Sequence, residues 1–252
     1  MAEARMRLDQ LLVERGLFQS RARARAAILG NLVHVDGKPA VRASQAVDMH
    51  AEIEIDPHAH LYVSRGALKL AHALDSFAID PAGLYCLDIG ASTGGFTEVL
   101  LARGASHVTA IDVGHSQLAA ELAADPRVTS LENLNAKELT PAHLSHPVEL
   151  IVCDVSFISL KKALPAALAL AAPGARLIAL IKPQFEVGPA RVGKGGIVRD
   201  AALHAEVCAD VSAWLAAMPG WRVIGVTESP IAGGDGNREF LVAAIFEGHV
   251  HG

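Results

Sequence analysis

The chain has 252 residues, of which 51% are hydrophobic and 19% are charged, and its formal net charge is −5. This length and composition exclude a disordered chain and are sufficient for a substantial core. The mean hydropathy of +0.31 raises the question of a membrane protein, but the 45 alanines inflate this value. The longest apolar stretch, residues 163–181, is broken by two prolines, a glycine and an arginine. No membrane span of ~20 residues is therefore predicted.

The start of the chain is charged and lacks the apolar region of a signal peptide. The three cysteines, Cys86, Cys153 and Cys208, are odd in number and widely spaced, which is typical of a reducing compartment. We therefore expect a cytoplasmic protein without stable membrane association. The histidines, including His143 and His146, form no closed set of metal ligands in the sequence, so no metal site is predicted.

The overall charge averages two unlike parts of the chain. Residues 1–42 carry eight basic and four acidic side chains, whereas residues 43–252 carry 14 basic and 23 acidic ones. A basic segment on an acidic body suggests that the segment binds a polyanion. The alternative is a set of solvated helix faces, and charge alone leaves both interpretations open.

The basic segment is predicted to form two short helices and a hairpin. Leu8, Leu11 and Leu12 share one face of a first helix, which Gly16 ends. A second helix is predicted over residues 21–29, with Ser20 as its N-cap and Gly30 after it. Strands follow at residues 32–35 and around residues 52–55, with a turn at Asp36-Gly37 between them.

The second helix carries three arginines. Arg21 and Arg25 are four residues apart and share a face, while Arg23 lies about 160° away from each of them. The three arginines therefore cannot form one stripe, although a helix lying in a groove could use two of its sides.

This order of elements resembles the S4 domain, a small RNA-binding domain also called the alpha-L motif. The matching residues are Arg7-Leu8-Asp9 with Leu11-Leu12, Ser20-Arg21 with Ala24 and Ile28, and Val33, Val35 and Asp36-Gly37. The resemblance covers most of residues 6–55 and implies docking of the basic helices on structured RNA. Contacts of this kind with phosphates position a protein but carry little information about nucleotide sequence.

From residue 84 the chain alternates strands and helices, as in a doubly wound parallel sheet. The first strand, residues 85–89, runs into a glycine-rich loop with Gly90, Gly94 and Gly95, followed by a helix over residues 97–102. The glycine spacing does not fit the dinucleotide-binding pattern, and no Lys-Ser/Thr pair follows as in a phosphate-binding loop. Asp88, just before this loop, suits a cationic ligand.

Acidic residues follow or end three predicted strands. Asp88 belongs to the first strand, Asp112 follows the strand at residues 108–111, and Asp154 follows the strand at residues 150–153. Any one of them alone is explained as a helix cap or turn residue. Three at corresponding strand ends favour a ligand crevice at the carboxyl edge of the sheet, where an acid after the second strand typically binds ribose hydroxyls. S-adenosylmethionine fits this set because it has a ribose diol and two cationic groups but no phosphate.

The last strands predict a mixed sheet. Strands are expected at residues 176–181, 222–228 and 240–246, and the connection between the last two is too short for a crossover helix. These two strands should therefore pair antiparallel. The predicted fold is α/β, a Rossmann-like methyltransferase sheet, mostly parallel with an antiparallel last strand, preceded by a small α+β RNA-binding domain.

Three further polar residues suggest chemistry at the same edge. Lys182 follows the five apolar residues 177–181, so it is partly desolvated and suits a general base, although it could also be an ordinary surface lysine. Lys69 lies at the start of a predicted helix, and Glu239 lies at the start of the last strand. Neither is informative alone.

Together these stretches resemble the FtsJ-type RNA ribose 2′-O-methyltransferases, and more closely the TlyA family, which carries both haemolysin and ribosomal RNA methyltransferase names. The matching stretches are YVSRG (62–66), LDIGASTGGFT (87–97), DVSFISL (154–160), IKPQFE (181–186), GKGG (193–196) and GNREF (236–240). The resemblance implies methylation of the ribose 2′-hydroxyl of cytidine in the RNA of one or both ribosomal subunits, with S-adenosylmethionine as the methyl donor. The implied catalytic tetrad is Lys69, Asp154, Lys182 and Glu239.

The remaining expected contacts fall into two groups. The expected cofactor contacts are Asp88, Gly90, Ala91, Ser92, Gly94, Gly95, Phe96, Asp112, Asn135 and Asp154. The expected RNA contacts are Arg7, Arg21, Arg23, Arg25, Lys38, Arg65, Arg191, Lys194 and Arg199. The last three lie in residues 183–199, called here the basic loop, which we expect to be a mobile, glycine-rich lip that closes over RNA rather than a merely solvated loop.

The predicted domains are an RNA-binding domain at residues 1–55, a linker at 56–63 and a methyltransferase domain at 64–252. Two other functions are weighed against this one. A membrane-active cytolysin requires an inserting segment, and the apolar runs are better explained as buried parallel strands. A non-catalytic RNA-binding factor does not require Lys182 or Glu239. The sequence does not predict the oligomeric state.

Overall fold

A computed structural model of the chain describes residues 5–18, 21–29, 32–56, 62–233 and 236–248. Helices and strands are numbered separately in chain order. No described helix combines the length and the hydropathy that a membrane span requires.

The N-terminal unit is a small α+β domain around its own core. Its elements are β1 (Arg5–Arg7), α1 (Leu8–Glu14), α2 (Arg21–Leu29), β2 (Val33–Val35), β3 (Lys38–Pro39), β4 (Ala46–Asp48) and β5 (Ile53–Ile55). β2 pairs antiparallel with β3 and β5, and β1 pairs antiparallel with β4. The predicted helices and hairpin are therefore present, and Gly16 adopts a positive φ of 69° just after α1. Ser20 and Gly30 lie outside the described residues.

The core of this unit follows from the spacing of its leucines. Leu8, Leu12, Ile28 and Leu32 are all fully buried, because α1 and α2 place their apolar faces against each other and against the small sheet. Strands β1 and β4 were not predicted. Each has three residues, which is too short for an alternating pattern to be visible.

The second unit is a seven-stranded sheet. Its strands are β6 (Tyr85–Ile89), β7 (His107–Asp112), β8 (Val128–Glu132), β9 (Val148–Cys153), β10 (Ala171–Ile181), β11 (Trp221–Glu228) and β12 (Phe240–Phe246). Their spatial order is β11-β12-β10-β9-β6-β7-β8. The pairs from β10 to β8 are parallel, whereas β12 runs antiparallel to both of its neighbours. The predicted antiparallel pairing of the last two strands is confirmed.

Helices cover both faces of this sheet. They are α3 (Gly66–Ser76), α4 (Gly95–Ala102), α5 (Ala120–Ala123), α6 (Leu160–Ala163), α7 (Pro165–Leu168), α8 (Pro183–Glu186) and α9 (Ala201–Ala216). Leu177, Ala179 and Ile181 of β10 face the layer that includes α6, α7 and α9, and the intervening Ile178 and Leu180 face α3 and α4. The continuous apolar run of β10 is therefore a strand buried on both faces.

The two units contact each other through Arg23 of α2. Its Nε lies 3.0 Å from Oε2 of Glu121 in α5, and its Nη1 lies 3.7 Å from Oε1 of Glu98 in α4. Glu98 Oε2 also accepts the backbone N–H of Val63 at 2.6 Å, at the end of the predicted linker. Residues 57–61 of that linker lie outside the described ranges.

Candidate active site

Two adjoining cavities open at the carboxyl edge of the parallel strands. One has a volume of about 340 Å³ and the other about 480 Å³, which is the usual size of a small-molecule pocket. They share five lining residues, namely Gly90, Ser92, Asp154, Ser156 and Phe157. We call the first the catalytic cavity and the second the nucleoside cavity, for the residues described below.

The catalytic cavity is lined by all four residues of the implied tetrad. They form two ion pairs: Lys69 Nζ donates to Glu239 Oε2 at 2.5 Å, and Lys182 Nζ lies 2.6 Å from Asp154 Oδ1. The residues come from α3, the start of β12 and the ends of β9 and β10. The fold therefore brings together four residues that are spread over 170 positions of the sequence.

The two ion pairs differ in burial. The side chains of Lys69 and Glu239 are 9% and 3% exposed, whereas those of Lys182 and Asp154 are 11% and 21% exposed. Lys69 lies on the buried face of α3, beside Ala67 and Leu70. A buried charge without its partner is strongly unfavourable, so each member of the Lys69–Glu239 pair stabilises the other.

Lys182 keeps a donor for a ligand. Its ammonium group has three N–H donors. One faces Asp154 and a second is donated to Ser156 Oγ at 2.9 Å. The third has no recorded partner within the described residues, and Lys182 lines the open cavity. The arrangement can hold an oxygen atom of a substrate against a positive charge.

The glycine-rich loop approaches the backbone of Asp154 closely. A Cβ on Gly90 would lie 2.6 Å from the Asp154 carbonyl oxygen, and Gly90 has a φ of +80°, so that this position requires glycine. Gly90, Ala91, Ser92, Gly95 and Phe96 all line the catalytic cavity, as expected for cofactor contacts. Gly94 lines neither cavity; it is the left-handed N-cap of α4 and its open side faces Leu118 and Leu122.

Asp88 is not at the tip of its strand, contrary to the prediction. It is the fourth residue of the five-residue β6, is fully buried and lines neither cavity. Thr97 Oγ1 donates to its Oδ2 at 2.7 Å, while Oδ1 has no hydrogen-bond partner among the described residues. Burial raises the pKa of Asp88 to about 7, despite the Thr97 hydrogen bond and with a further contribution from Asp154. A direct contact between Asp88 and a cationic ligand therefore does not fit this position.

The nucleoside cavity combines a carboxylate with apolar walls. Asp112 lies at the end of β7 and accepts the backbone N–H groups of Ser92 at 2.8 Å and Gly114 at 2.7 Å. Its carboxylate oxygens retain lone pairs for further donors. Leu134, Ile158 and Asn135 line the same cavity, and Asn135 Oδ1 also accepts the N–H of Lys137 at 3.1 Å. These groups suit a ribose diol beside a flat apolar ring.

Sequence reasoning missed two residues between the cavities. Ser156 is bonded to Lys182, and Phe157 is 90% exposed with a left-handed φ of 64°. The Phe157 ring packs against Phe185, with 5.1 Å between the ring centroids. A non-glycine residue with positive φ commonly marks a functional site. The sequence signal is weak, because Phe157 in DVSFISL looks like part of an apolar run.

Two arginines of the N-terminal unit flank a buried carboxylate. Asp9 is 4% exposed and accepts hydrogen bonds from Arg7 Nε at 2.9 Å and Arg21 Nη2 at 2.8 Å. Together with Arg25 and Arg42 these residues line a shallow concave surface. Lys38, also among the expected RNA contacts, is exposed in β3.

Two of the expected RNA contacts are engaged elsewhere. Arg23 faces Glu98 and Glu121 of the second unit, because it lies on the side of α2 opposite Arg21 and Arg25. Arg191 Nη1 lies 2.6 Å from Glu206 Oε1 of α9, so its guanidinium group faces that helix. Arg65 lines the catalytic cavity with 28% of its side chain exposed, and Arg199 is exposed. The side chain of Lys194 lies outside the description.

Comparisons with known proteins agree with this geometry. The FtsJ-like methyltransferase model matches residues 62–246, and the S4 domain model matches residues 6–53. The chain is 49% identical to the 16S/23S rRNA (cytidine-2′-O)-methyltransferase TlyA of Mycobacterium tuberculosis, over 94% of this chain and 89% of that one. It is 42% identical to the rRNA methyltransferase-named YqxC of Bacillus subtilis, over 96% and 86% of the two chains.

A solved structure extends the likeness to three dimensions. A hemolysin-named protein from Streptococcus thermophilus has a TM-score of 0.76 and 38% identity, covering 98% of this chain and 90% of the other. The two family models lie in order along the chain, and the sequence identity extends over nearly its whole length. The chain belongs to the TlyA family, with an S4 domain followed by an FtsJ-like methyltransferase domain.

Proposed function

We propose that this protein methylates the ribose 2′-hydroxyl of cytidine in ribosomal RNA, with S-adenosylmethionine as the methyl donor, and that it acts in the cytoplasm where ribosomal subunits are found. The observation that carries the proposal is the arrangement of Lys69, Asp154, Lys182 and Glu239 as two ion pairs on the wall of one cavity. The substrate is inferred from the relatives, whose names specify cytidine 2′-oxygens in ribosomal RNA.

The nucleoside cavity fits S-adenosylmethionine. Asp112 would accept hydrogen bonds from the ribose diol, and Leu134 and Ile158 would contact the adenine ring beside Asn135. The absent side chain of Gly90 lets the glycine-rich loop pack against the backbone of Asp154, where the two cavities adjoin. When bound, this donor would supply an electrophilic methyl group on a positive sulfonium.

The protein residues prepare the other reactant. A ribose hydroxyl is a weak nucleophile, so its proton must be accepted and the negative charge on its oxygen stabilised. As the 2′-oxygen takes the methyl group, Lys182 in its amine form would accept the hydroxyl proton, and Asp154 and Ser156 would hold the ammonium group that results. The Lys69–Glu239 pair adds a second positive group without a net buried charge. Positioning should supply most of the acceleration.

RNA would approach from the side of the exposed groups. The Arg7, Arg21 and Arg25 cluster would bind phosphates and position the RNA, while Arg65 and Phe157 lie at the cavity itself. An exposed aromatic ring suits stacking against an unpaired base. We propose the domain division 1–55, 56–63 and 64–252 for these two tasks.

The two other functions receive less support. A cytolysin needs a segment that inserts in a lipid bilayer, and the described part of the chain has no helix suited to crossing one. A non-catalytic RNA-binding factor would gain nothing from the Lys69–Glu239 pair, since burying two charges is costly.

One assay separates the three functions. The protein is incubated with radiolabelled S-adenosylmethionine and ribosomal subunits that lack the modification, and the labelled nucleotide is mapped; leakage of dye-loaded liposomes is measured in parallel. We expect label on a cytidine ribose and no leakage. Leakage without label would support the cytolysin, and RNA binding without label would support the non-catalytic factor.

A further inference from the structure

Asn237 connects the basic loop to the strand that carries Glu239. It is 1% exposed, yet its side chain is polar and lies two residues before Glu239. Its Oδ1 accepts the backbone N–H of Val198 at 3.0 Å, and its Nδ2 donates to the backbone oxygen of Gly196 at 3.0 Å. One amide therefore satisfies a donor and an acceptor of the basic loop.

The same amide residue also closes the turn before Glu239. The N–H of Gly233 donates to the Asn237 carbonyl oxygen at 2.8 Å, and the N–H of Gly236 donates to Gly233 at 2.9 Å. A Cβ on Gly233 would overlap the Glu239 carboxylate, so this turn lies directly against the charged group. The turn that Asn237 closes is thus one wall of the space that Glu239 occupies.

A second buried side chain holds the other end of Val198. His204 of α9 is 4% exposed, and its Nε2 lies 2.9 Å from the Val198 carbonyl oxygen. Both backbone groups of Val198 are therefore held by buried side chains. The His204 ring also packs against Phe240, the residue after Glu239, with 5.6 Å between the ring centroids. The basic loop is thus anchored at this end, which qualifies the expectation of a freely mobile lip.

Glu239 depends on this anchoring for its position. Its recorded side-chain hydrogen bond within the described residues is the one from Lys69. The direction of the carboxylate is otherwise set by the backbone of residues 236–239 and by Gly233, which lies against it. A misplacement of about 1 Å in a catalytic group can lower the rate 10²-fold. The contacts that fix this backbone should therefore affect the rate of catalysis.

We propose that Asn237 is a positioning residue, which sets the Glu239–Lys69 pair and links its placement to the conformation of the basic loop. This inference rests on the proposed function. It predicts that RNA bound along the basic loop affects, through Asn237, the placement of the Glu239–Lys69 pair at the catalytic cavity.

The test is a double-mutant cycle of Asn237→Ala with Glu239→Gln, measured as kcat for methyl transfer to ribosomal subunits. Asn237→Ala alone should lower kcat by about 10- to 100-fold, with the Kd for S-adenosylmethionine changed little. It should also lower the Tm, because the N–H of Val198 and the carbonyl of Gly196 lose a buried partner. If Asn237 acts through Glu239, adding Asn237→Ala to the Glu239→Gln variant should cause little further loss. A merely structural role would give losses that multiply.

Two more variants keep the test decisive. Val211→Ala removes fully buried methyl groups from α9 and should lower Tm while kcat is retained, which separates stability from positioning. If Asn237→Ala is insoluble, Asn237→Asp replaces it in the cycle, because it keeps the acceptor for Val198 and loses the donor for Gly196.

The outcomes are distinct. Nonadditive losses support the inference. Multiplied losses, or an Asn237 variant with the kcat of the wild type, overturn it while the proposed function stands. A wild-type protein that labels no RNA overturns the proposed function, and this inference with it.

Discussion

Two buried aspartates, one in each unit, show opposite uses of the same side chain. Asp9 of the N-terminal unit is 4% exposed and lies between two arginines, and the hydrogen bond from Arg7, followed by that from Arg21, lowers its pKa to about 2. Asp88 of the sheet is 0% exposed and is hydrogen-bonded to Thr97. Burial raises its pKa to about 7.

The difference lies in what each carboxylate holds. Asp9 stays charged and fixes two cations whose outer parts remain about half exposed, at 46% for Arg7 and 53% for Arg21. It therefore prepares a surface for a polyanion. Asp88, with a pKa of about 7, is only partly charged at neutral pH, and it holds Thr97 in the first turn of α4. Glu239 is a third case, a buried carboxylate balanced by one lysine. Substitutions at these three carboxylates should therefore have different effects.

The largest effect is expected for the Lys69–Glu239 pair. Lys69→Met leaves the Glu239 carboxylate buried without a cation and should lower the free energy of unfolding by about 3–5 kcal/mol, with loss of activity. The double variant Lys69→Met with Glu239→Leu should recover most of the stability, measured by urea unfolding, but no methyl transfer. A double variant as unstable as the single one would contradict the account of a mutually compensating pair.

A smaller effect is expected at Asp9. Asp9→Asn removes the charge that orients Arg7 and Arg21, so the affinity for ribosomal RNA should fall by roughly 10-fold, or ~1.4 kcal/mol. The control is Asp48→Asn, in the same unit. Within the described residues, the recorded side-chain hydrogen bond of Asp48 is the one from the N–H of His50. This variant should retain the RNA affinity of the wild type. Filter binding at several salt concentrations checks both variants. Equal RNA affinities of the two variants would contradict the role proposed for Asp9.

Asp9 also predicts a dependence of stability on acid pH. Its pKa in the folded state, about 2, lies below the usual value of about 3.9. Its contribution to stability is therefore complete above about pH 4 and is lost as the pH falls towards 2. Asp9→Asn should remove this part of the acid destabilisation.

An effect of opposite sign is expected at Asp88. Because its pKa is raised in the folded state, the folded protein binds the proton more tightly than the unfolded chain does. Stability should therefore decrease as the pH rises from about 4 to about 7, and the penalty is complete above pH 7. Asp88→Asn should flatten this dependence and raise Tm at pH 8. A variant whose Tm falls in parallel with the wild type from pH 5 to 8 would show that Asp88 is not the titrating group.

Much of the sheet could be predicted from the sequence, because buried strands appear as apolar runs. Residues 85–89 and 240–246 were predicted with the bounds observed, and β7 and β9 were predicted to within two residues. The start of β10 was placed five residues late, because Pro173 and Gly174 suggested a loop. The two three-residue strands of the N-terminal unit gave no periodic signal.

The candidate site could be predicted in part. The resemblance implied the four tetrad residues, and the fold places them on one cavity. Asp88 was misplaced although the bounds of its strand were predicted correctly, because the sequence does not show that Asp88, one residue before the strand end, is covered and bonded to Thr97 of α4. Arg23 and Arg191 looked like RNA contacts because their acidic partners, Glu121 and Glu206, are distant in the sequence or lie on another helix.

The central claim is that Lys182 acts on a ribose hydroxyl beside a bound methyl donor. The most direct measurement is the rate of formation of 2′-O-methylcytidine in ribosomal subunits by the wild type and by Lys182→Ala, together with calorimetric binding of S-adenosylmethionine to each. The account predicts a loss of roughly 10²- to 10⁴-fold in rate, with donor affinity retained within a few-fold. A Lys182→Ala variant that forms 2′-O-methylcytidine at the rate of the wild type would contradict it.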